Sequence, residues 1–195
     1  NYRKTLSGIH SILKKEIEFY RRSPCRSQQN FIKKWPEKFQ LLGWLITMEN
    51  YGKLAPHIHD EGWLSGCLYI NVPPKESPTS GNLVVCLDDD DSSLNPDKNT
   101  KKIIHVKTGD LCLFPASLLH YTIPFRSKEQ RIVLAFDVVP SWVKLVRAGR
   151  LELPLPEETR FCLPATAFAA LSCRKVNKSC LWSGLSHHRT SIEEA

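Results

Sequence analysis

The sequence predicts a mainly β protein, in which a barrel of short strands carries a metal site and follows one flanking helix. Short apolar runs bounded by turn residues succeed one another from about residue 42 to residue 139. His57 and His59 stand two positions apart just before one of these runs, and His120 comes shortly before the run that opens with Arg131. Residues 5–22 have helical rather than strand periodicity.

The flanking helix is predicted from the spacing of apolar residues in 5–22. Positions i, i+3, i+4, i+8 and i+11 are filled by Ile9, Ile12, Leu13, Ile17 and Tyr20. Lysine and arginine fill other faces, so one apolar stripe is available to cover the barrel.

The strands are predicted where Val, Ile, Leu, Cys, Tyr and Phe are concentrated between turn signals such as Pro73-Pro74 and Ser80-Gly81. The segment 88–102 begins with four aspartates and is predicted to be an exposed, mobile loop, since an acidic run is more often solvated than bound to a cation. The candidate strands are 42–48, 64–72, 82–87, 103–107, 110–114, 119–123 and 131–139.

A chain of 195 residues suits one domain. We divide it into an N-terminal helical flank (1–40), a β core (41–145) and a C-terminal tail (146–195). Ser141–Arg147 has a helix-like pattern, but little periodicity follows, and no regular structure is predicted after about residue 160. His187 and His188 are expected to be solvent-exposed.

Composition excludes several classes of function. The net charge of +7 comes from scattered, short basic clusters without interleaved aromatic residues, which argues against nucleic acid as the main ligand. Seven cysteines without C-x-x-C spacing indicate reduced thiols and a cytoplasmic location. No apolar run is long enough to span a membrane. Because the chain starts with Asn, it is expected to be part of a longer protein.

The three histidines form the candidate site. Side chains in extended backbone alternate with period 2, so His57 and His59 should point the same way. Imidazoles that converge on one point suit a first-row transition metal. A single histidine is more often a hydrogen-bonded structural or surface residue than a metal ligand, and His105 is interpreted in that way. Two histidines in register, a third before a strand and Arg131 beyond it together favour a metal site.

The same motifs resemble the 2-oxoglutarate/Fe(II)-dependent oxygenase superfamily. Within it, the chain is similar to the family that has His-x-His followed by Gly-Trp-Leu-Ser-Gly, often C-terminal to tetratricopeptide repeats. The resemblance covers roughly residues 40–140. Its motifs here are His57-Ile-His59, Gly62-Trp-Leu-Ser-Gly66, Tyr69, Val72-Pro73, Thr108–Pro115, His120, Pro124 and Arg131–Asp137.

This resemblance implies a double-stranded β-helix, a jelly-roll or cupin-like barrel. It implies that His57, His59 and His120 bind catalytic Fe(II), and that Arg131 and Tyr69 hold the co-substrate 2-oxoglutarate. The implied dioxygenase reaction couples oxidative decarboxylation of 2-oxoglutarate to hydroxylation of an unidentified substrate, for which a protein is one candidate. Ascorbate would support the iron.

One departure leaves two ligand sets open. The superfamily usually has His-x-Asp or His-x-Glu as its first motif. Either His57, His59 and His120 bind the metal together, or His59 and Glu61 form the His-x-Glu pair with His120. We favour three histidines because the similar family shows the double histidine.

Two other functions share these residues. A non-catalytic cupin-like barrel could bind metal for structure or sensing, but it would not need Arg131 buried near the histidines. A protein-interaction domain could retain the histidines as remnants of a lost site. Metal content separates the interaction domain from the other two functions, and 2-oxoglutarate consumption separates the enzyme from the metal-binding barrel.

Overall fold

The computed structural model describes residues 2–23, 30–86, 101–142 and 172–175. These residues form two helices and nine strands. In chain order they are α1 (Tyr2–Arg21), α2 (Asn30–Lys33), β1 (Phe39–Met48), β2 (Leu54–His57), β3 (Leu64–Asn71), β4 (Leu83–Cys86), β5 (Lys101–Ile104), β6 (Asp110–Pro115), β7 (Leu119–Thr122), β8 (Arg131–Pro140) and β9 (Ser172–Lys175).

The strands build two antiparallel sheets, one of five strands in the order β1-β8-β3-β6-β9 and one of four in the order β2-β7-β4-β5. From β6 to β8 the chain passes from one sheet to the other at every strand, so the sheets face each other and enclose a space. This topology is the double-stranded β-helix that the family resemblance implied, and the predicted mainly β fold class is confirmed.

Alternating side chains give the five-stranded sheet two apolar faces. On the outer face, Leu64 and Leu68 of β3 pack with Leu13, Ile17 and Tyr20 of α1. On the inner face, Tyr69 packs with residues of both sheets in a second buried cluster. The predicted flanking helix therefore covers the barrel with the stripe that its periodicity indicated.

Three strands differ from their predictions. Strand β1 begins at Phe39, three residues before its predicted start and inside the predicted N-terminal flank. The four-residue strand β2 was not predicted, because Leu-Ala-Pro-His has neither an apolar run nor alternation. Strand β5 was predicted at 103–107 but starts at Lys101 and ends at Ile104. It is the last strand of its sheet, where exposed lysines are common because they discourage pairing with other chains.

The C-terminal segment contains one strand where the sequence predicted no regular structure. Strand β9 pairs with β6, and Cys173 is the cross-strand partner of Cys112. The predicted helix at Ser141–Arg147 is described only at residues 141 and 142, which form a turn. Residues 88–100 of the predicted acidic loop, and His187 and His188, lie outside the described residues, while residues 101 and 102 of that loop belong to β5. Within the described ranges, neither helix has the length and apolarity needed to cross a membrane.

Candidate active site

Three histidines converge between the two sheets. His57 is the last residue of β2 and the direct cross-strand partner of His120 in β7. His59 follows two residues later, and its ring centroid lies 5.2 Å from that of His57 and 5.0 Å from that of His120. Each ring can offer one nitrogen so that the three nitrogens lie within 4.8 Å of one another, a geometry that suits one metal ion.

The hydrogen bonds of the rings fix which nitrogen each one offers. His57 Nδ1 lies 2.8 Å from the carbonyl oxygen of Ala55, and His120 Nδ1 lies 2.9 Å from that of Leu118. A carbonyl oxygen only accepts, so each Nδ1 carries the proton and donates. The lone pair of each ring is therefore on Nε2, the atom left for a metal.

His59 has a charged partner instead of a carbonyl. Its Nδ1 lies 2.8 Å from Oδ1 of Asp137, and the Ser65 hydroxyl donates to the same oxygen at 2.7 Å. Ser65 Oγ is also 3.1 Å from His59 Nδ1, so the three groups form a closed triangle. Sequence reasoning assigned no role to Ser65 or Asp137; their inward positions in β3 and β8 become apparent only when the strands are paired.

The histidine in β7 is the most deeply buried of the three. Burial lowers the pKa of His120 to about 4, and the neighbouring His57 and His59 also act to lower it, while the bond to Leu118 opposes the change. At neutral pH His120 is therefore uncharged, the form that a metal ligand requires.

Arg131, the first residue of β8, is a buried cation without a carboxylate. Its side chain is 2% exposed, and its guanidinium lies 5.1 Å from the ring centroid of Tyr69. Nη1 makes only a weak contact with Met48 Sδ at 3.9 Å, and Nε has no partner. Among the described residues, no carboxylate lies within ion-pair distance of this guanidinium. A buried charge in this state is costly unless a ligand pairs with it.

One cavity of about 110 Å³ joins these groups. His57, His59, His120, Tyr69 and Arg131 all line it, so the structure brings the five predicted site residues together. Most of the other lining residues are apolar, including Trp44, Ile46, Leu54, Leu83, Phe114, Val133 and Ala135. Such an apolar lining lowers the local dielectric and so strengthens the electrostatic interactions of the few polar groups.

The alternative ligand Glu61 lies apart from the histidines. It is exposed, and it is not a member of the group of potential ligands formed by His57, His59 and His120. The chain turns at residues 60 and 61, so the period-2 alternation that would align Glu61 with His59 is lost. His105 is exposed and contacts Asn82 at 3.1 Å, away from the cavity lining.

The Gly-Trp-Leu-Ser-Gly motif is explained by packing around the site. A Cβ on Gly62 would lie 2.8 Å from that of Ala116, and one on Gly66 would lie 2.2 Å from the Phe136 ring. Trp63 stacks on Phe31 with ring centroids 5.4 Å apart, and Leu64 is fully buried. The motif therefore sets β3 close to its neighbours, with Ser65 directed at His59.

Comparison with known proteins gives one family match. Residues 43–137 match the model of the family described as "Putative 2OG-Fe(II) oxygenase". No curated protein sequence matches the chain.

Several solved structures are similar at low identity. An oxidoreductase of the 2OG-Fe(II) oxygenase family from Burkholderia pseudomallei is 11% identical, with a TM-score of 0.42 over 55% of this chain and 48% of that chain. A Pseudomonas putida prolyl-4-hydroxylase is 17% identical, with a TM-score of 0.38 over 54% of this chain and 53% of that one. Apo HygX from Streptomyces hygroscopicus is 15% identical, with a TM-score of 0.45 over 82% of this chain and 85% of that chain. This chain spans about half the length of the Burkholderia pseudomallei and Pseudomonas putida proteins.

Proposed function

We propose, since residues 43–137 match the model of the family described as "Putative 2OG-Fe(II) oxygenase", that this chain is a 2-oxoglutarate- and Fe(II)-dependent dioxygenase. The observation that carries the proposal is that three histidines and a buried arginine, which has no carboxylate partner among the described residues, line the same cavity. The histidines suit a transition metal, and the arginine suits a carboxylate. An enzyme of this class must bind both a metal ion and the carboxylates of 2-oxoglutarate.

His57, His59 and His120 would hold the metal through Nε2. Their Nδ1 atoms are already engaged in hydrogen bonds, so the rings are oriented before metal arrives. Bound Fe(II) would supply the oxygen chemistry that couples decarboxylation of 2-oxoglutarate to hydroxylation of a substrate. The protein's own contribution is ligand geometry and a cavity that excludes water.

Arg131 would anchor the carboxylate of 2-oxoglutarate that is remote from the metal. Its planar guanidinium can form two parallel hydrogen bonds to one carboxylate, and its burial makes that pairing strong. Tyr69, against which the guanidinium packs, would contribute its hydroxyl to the same carboxylate. A bound carboxylate would also supply the counter-charge that Arg131 lacks among the described residues.

Most of the remaining features of this proposal follow from the resemblance. Ascorbate would keep the iron reduced, and the domain would follow tetratricopeptide repeats in a longer chain. The cytoplasmic location is proposed on a different ground, the cysteine content of the chain. The substrate would be a molecule, with a protein as one candidate, that presents an apolar group to the cavity.

Binding of 2-oxoglutarate tests the proposal before any substrate is known. Calorimetric titration into Co(II)-loaded protein under nitrogen should show one site in the wild type, and Arg131→Met should weaken binding by at least tenfold. Arg126→Met is the matched control, because Arg126 is exposed and packs on Tyr51 outside the cavity lining. Equal binding by wild type and Arg131→Met would contradict the anchor. Metal binding without any 2-oxoglutarate binding would instead support a non-catalytic cupin-like barrel.

A further inference from the structure

The buried carboxylate of Asp137 contacts His59 but is not one of the three proposed metal ligands. We infer that Asp137 is a positioning residue: its negative charge, carried through the Nδ1–H of His59, makes His59 the strongest of the three metal ligands. The inference rests on the proposed function, because it requires that the histidines bind a metal.

The three rings differ in the group that accepts the Nδ1 proton. His57 and His120 donate to neutral carbonyl oxygens, whereas His59 donates to a carboxylate at 2.8 Å. A hydrogen bond to an ionised acceptor is about twice as strong as one to a neutral acceptor. It also withdraws the Nδ1 proton partly from the ring, which raises the basicity of Nε2. His59 should therefore donate the most electron density to the metal.

The charge of the proposed metal site also favours this role for Asp137. Non-haem Fe(II) oxygenases commonly bind the metal with two histidines and one carboxylate, and three neutral imidazoles would leave the site one unit more positive. Asp137 is 8% exposed, and among the described residues it is the carboxylate that contacts one of the three rings. Asp137 would supply the missing negative charge without binding the metal itself, through its hydrogen bond to His59, the second histidine of the His-x-His motif.

The carboxylate of Asp137 is also held in place. Ser65 donates to the Oδ1 atom that faces His59, so this oxygen is fixed by two donors. Gly62 allows the chain to pass close by, because a Cβ there would approach the Asp137 carboxylate carbon to 3.4 Å and clash with Ala116 at 2.8 Å. The geometry is that of a fixed partner rather than of a surface carboxylate that meets a histidine by chance.

The test measures metal affinity and the tautomer of His59, not activity alone. Titration of the whole chain with Co(II), followed by its visible absorption, should show that Asp137→Asn weakens binding by about 10- to 100-fold. Asp110→Asn is the matched control, because Asp110 is also buried but accepts its hydrogen bond from the backbone of Lys107. Its affinity for Co(II) should stay at the wild-type value.

Nitrogen NMR of the metal-free proteins provides the second measurement. His59 should be protonated at Nδ1 in the wild type, and Asp137→Asn should populate the Nε2–H form, because the asparagine amide can donate to Nδ1. If Asp137→Asn does not fold, Ser65→Ala keeps the carboxylate but removes one of its restraints. That variant should fold and show a smaller loss of Co(II) affinity.

Two results separate the inference from the proposed function. Wild-type Co(II) affinity and an unchanged His59 tautomer in Asp137→Asn would overturn the role of Asp137 while the metal site remained. Failure of the wild type to bind Co(II), or equal binding by His120→Ala, would remove the metal site itself and with it both proposals.

Discussion

Arg131 and Asp137 lie on the same face of β8, six residues apart, and both are directed toward the interior of the barrel. Val133 and Ala135, between them on that face, line the cavity together with Arg131. One strand therefore provides the cation proposed for the co-substrate and the carboxylate that contacts His59. The period-2 alternation of side chains makes this arrangement possible, and the pairing of β8 with β1 and β3 holds it in place.

Metal should stabilise the folded protein through the three histidines. Saturating Co(II) should raise the melting temperature of the wild type, because a ligand that binds only the native state adds to its stability. His120→Ala should abolish this rise. His105→Ala is the control, since His105 is exposed and lies outside the group of three, and it should keep the full rise. An undiminished rise in His120→Ala would exclude His120 as a ligand.

The stability of the metal-free protein should fall between pH 7 and pH 5 because of His120. Its pKa is about 4 in the folded state, below the ordinary value near 6.5. As pH drops below 6.5 the unfolded chain gains a proton that the folded chain excludes, so this residue disfavours folding increasingly until about pH 4. Between pH 7 and pH 5 the loss is about 2 kcal/mol.

Urea unfolding of wild type and His120→Gln at both pH values, with a chelator present, checks this. The free energy of unfolding of the wild type should fall by about 2 kcal/mol more than that of the variant, since other titrating groups are common to both. The same fall in both proteins would show that His120 titrates normally in the folded state.

Gly66→Ala should destabilise the fold. The added methyl group would overlap the Phe136 ring, which lies buried between β8 and helix α1. Overpacking of this kind typically costs about 1–3 kcal/mol. Gly8→Ala is the contrasting control, because nothing lies within 4 Å of a Cβ at that position of α1. It should stabilise the helix by up to about 1 kcal/mol. A neutral Gly66→Ala variant in chemical denaturation would show that the ring can move aside.

Tyr69→Phe should affect 2-oxoglutarate more than it affects the metal. Removal of the hydroxyl leaves the ring on which the Arg131 guanidinium packs, so the barrel should remain folded. We expect 2-oxoglutarate to bind several-fold more weakly, in line with the loss of one hydrogen bond of about 1 kcal/mol. Co(II) affinity should not change. Unchanged affinity for both ligands would remove Tyr69 from the co-substrate site.

The histidines and Arg131 could be selected as candidate site residues from the sequence, because each belongs to a spacing pattern that is visible without a structure. His57 and His59 stand two apart, and Arg131 opens a long apolar strand. We expected period-2 alternation in a strand to align His57 with His59. However, β2 ends at His57, and His59 lies beyond it. The histidines converge because β2 and β7 pair at His57 and His120.

Ser65 and Asp137 could not be predicted in the same way. Their contact with each other and with His59 depends on the register between β3 and β8, where Ser65 and Asp137 are cross-strand partners. Register between strands separated by about 70 residues is set by packing of the whole barrel, which no local pattern encodes. The strand β9 was missed for the same reason: its pairing with β6 is long-range, and its four residues have no distinctive alternation.

Succinate formation is the most direct test of the dioxygenase proposal. Purified protein with Fe(II), ascorbate and 2-oxoglutarate under air should release succinate without added substrate, slowly, and Arg131→Met and His120→Ala should each abolish that release. Arg126→Met and His105→Ala should leave it unchanged. Succinate released at the wild-type rate by Arg131→Met or His120→Ala would contradict the assignment of the site. No succinate from the wild type, together with no binding of 2-oxoglutarate to the metal-loaded protein, would contradict the enzyme itself.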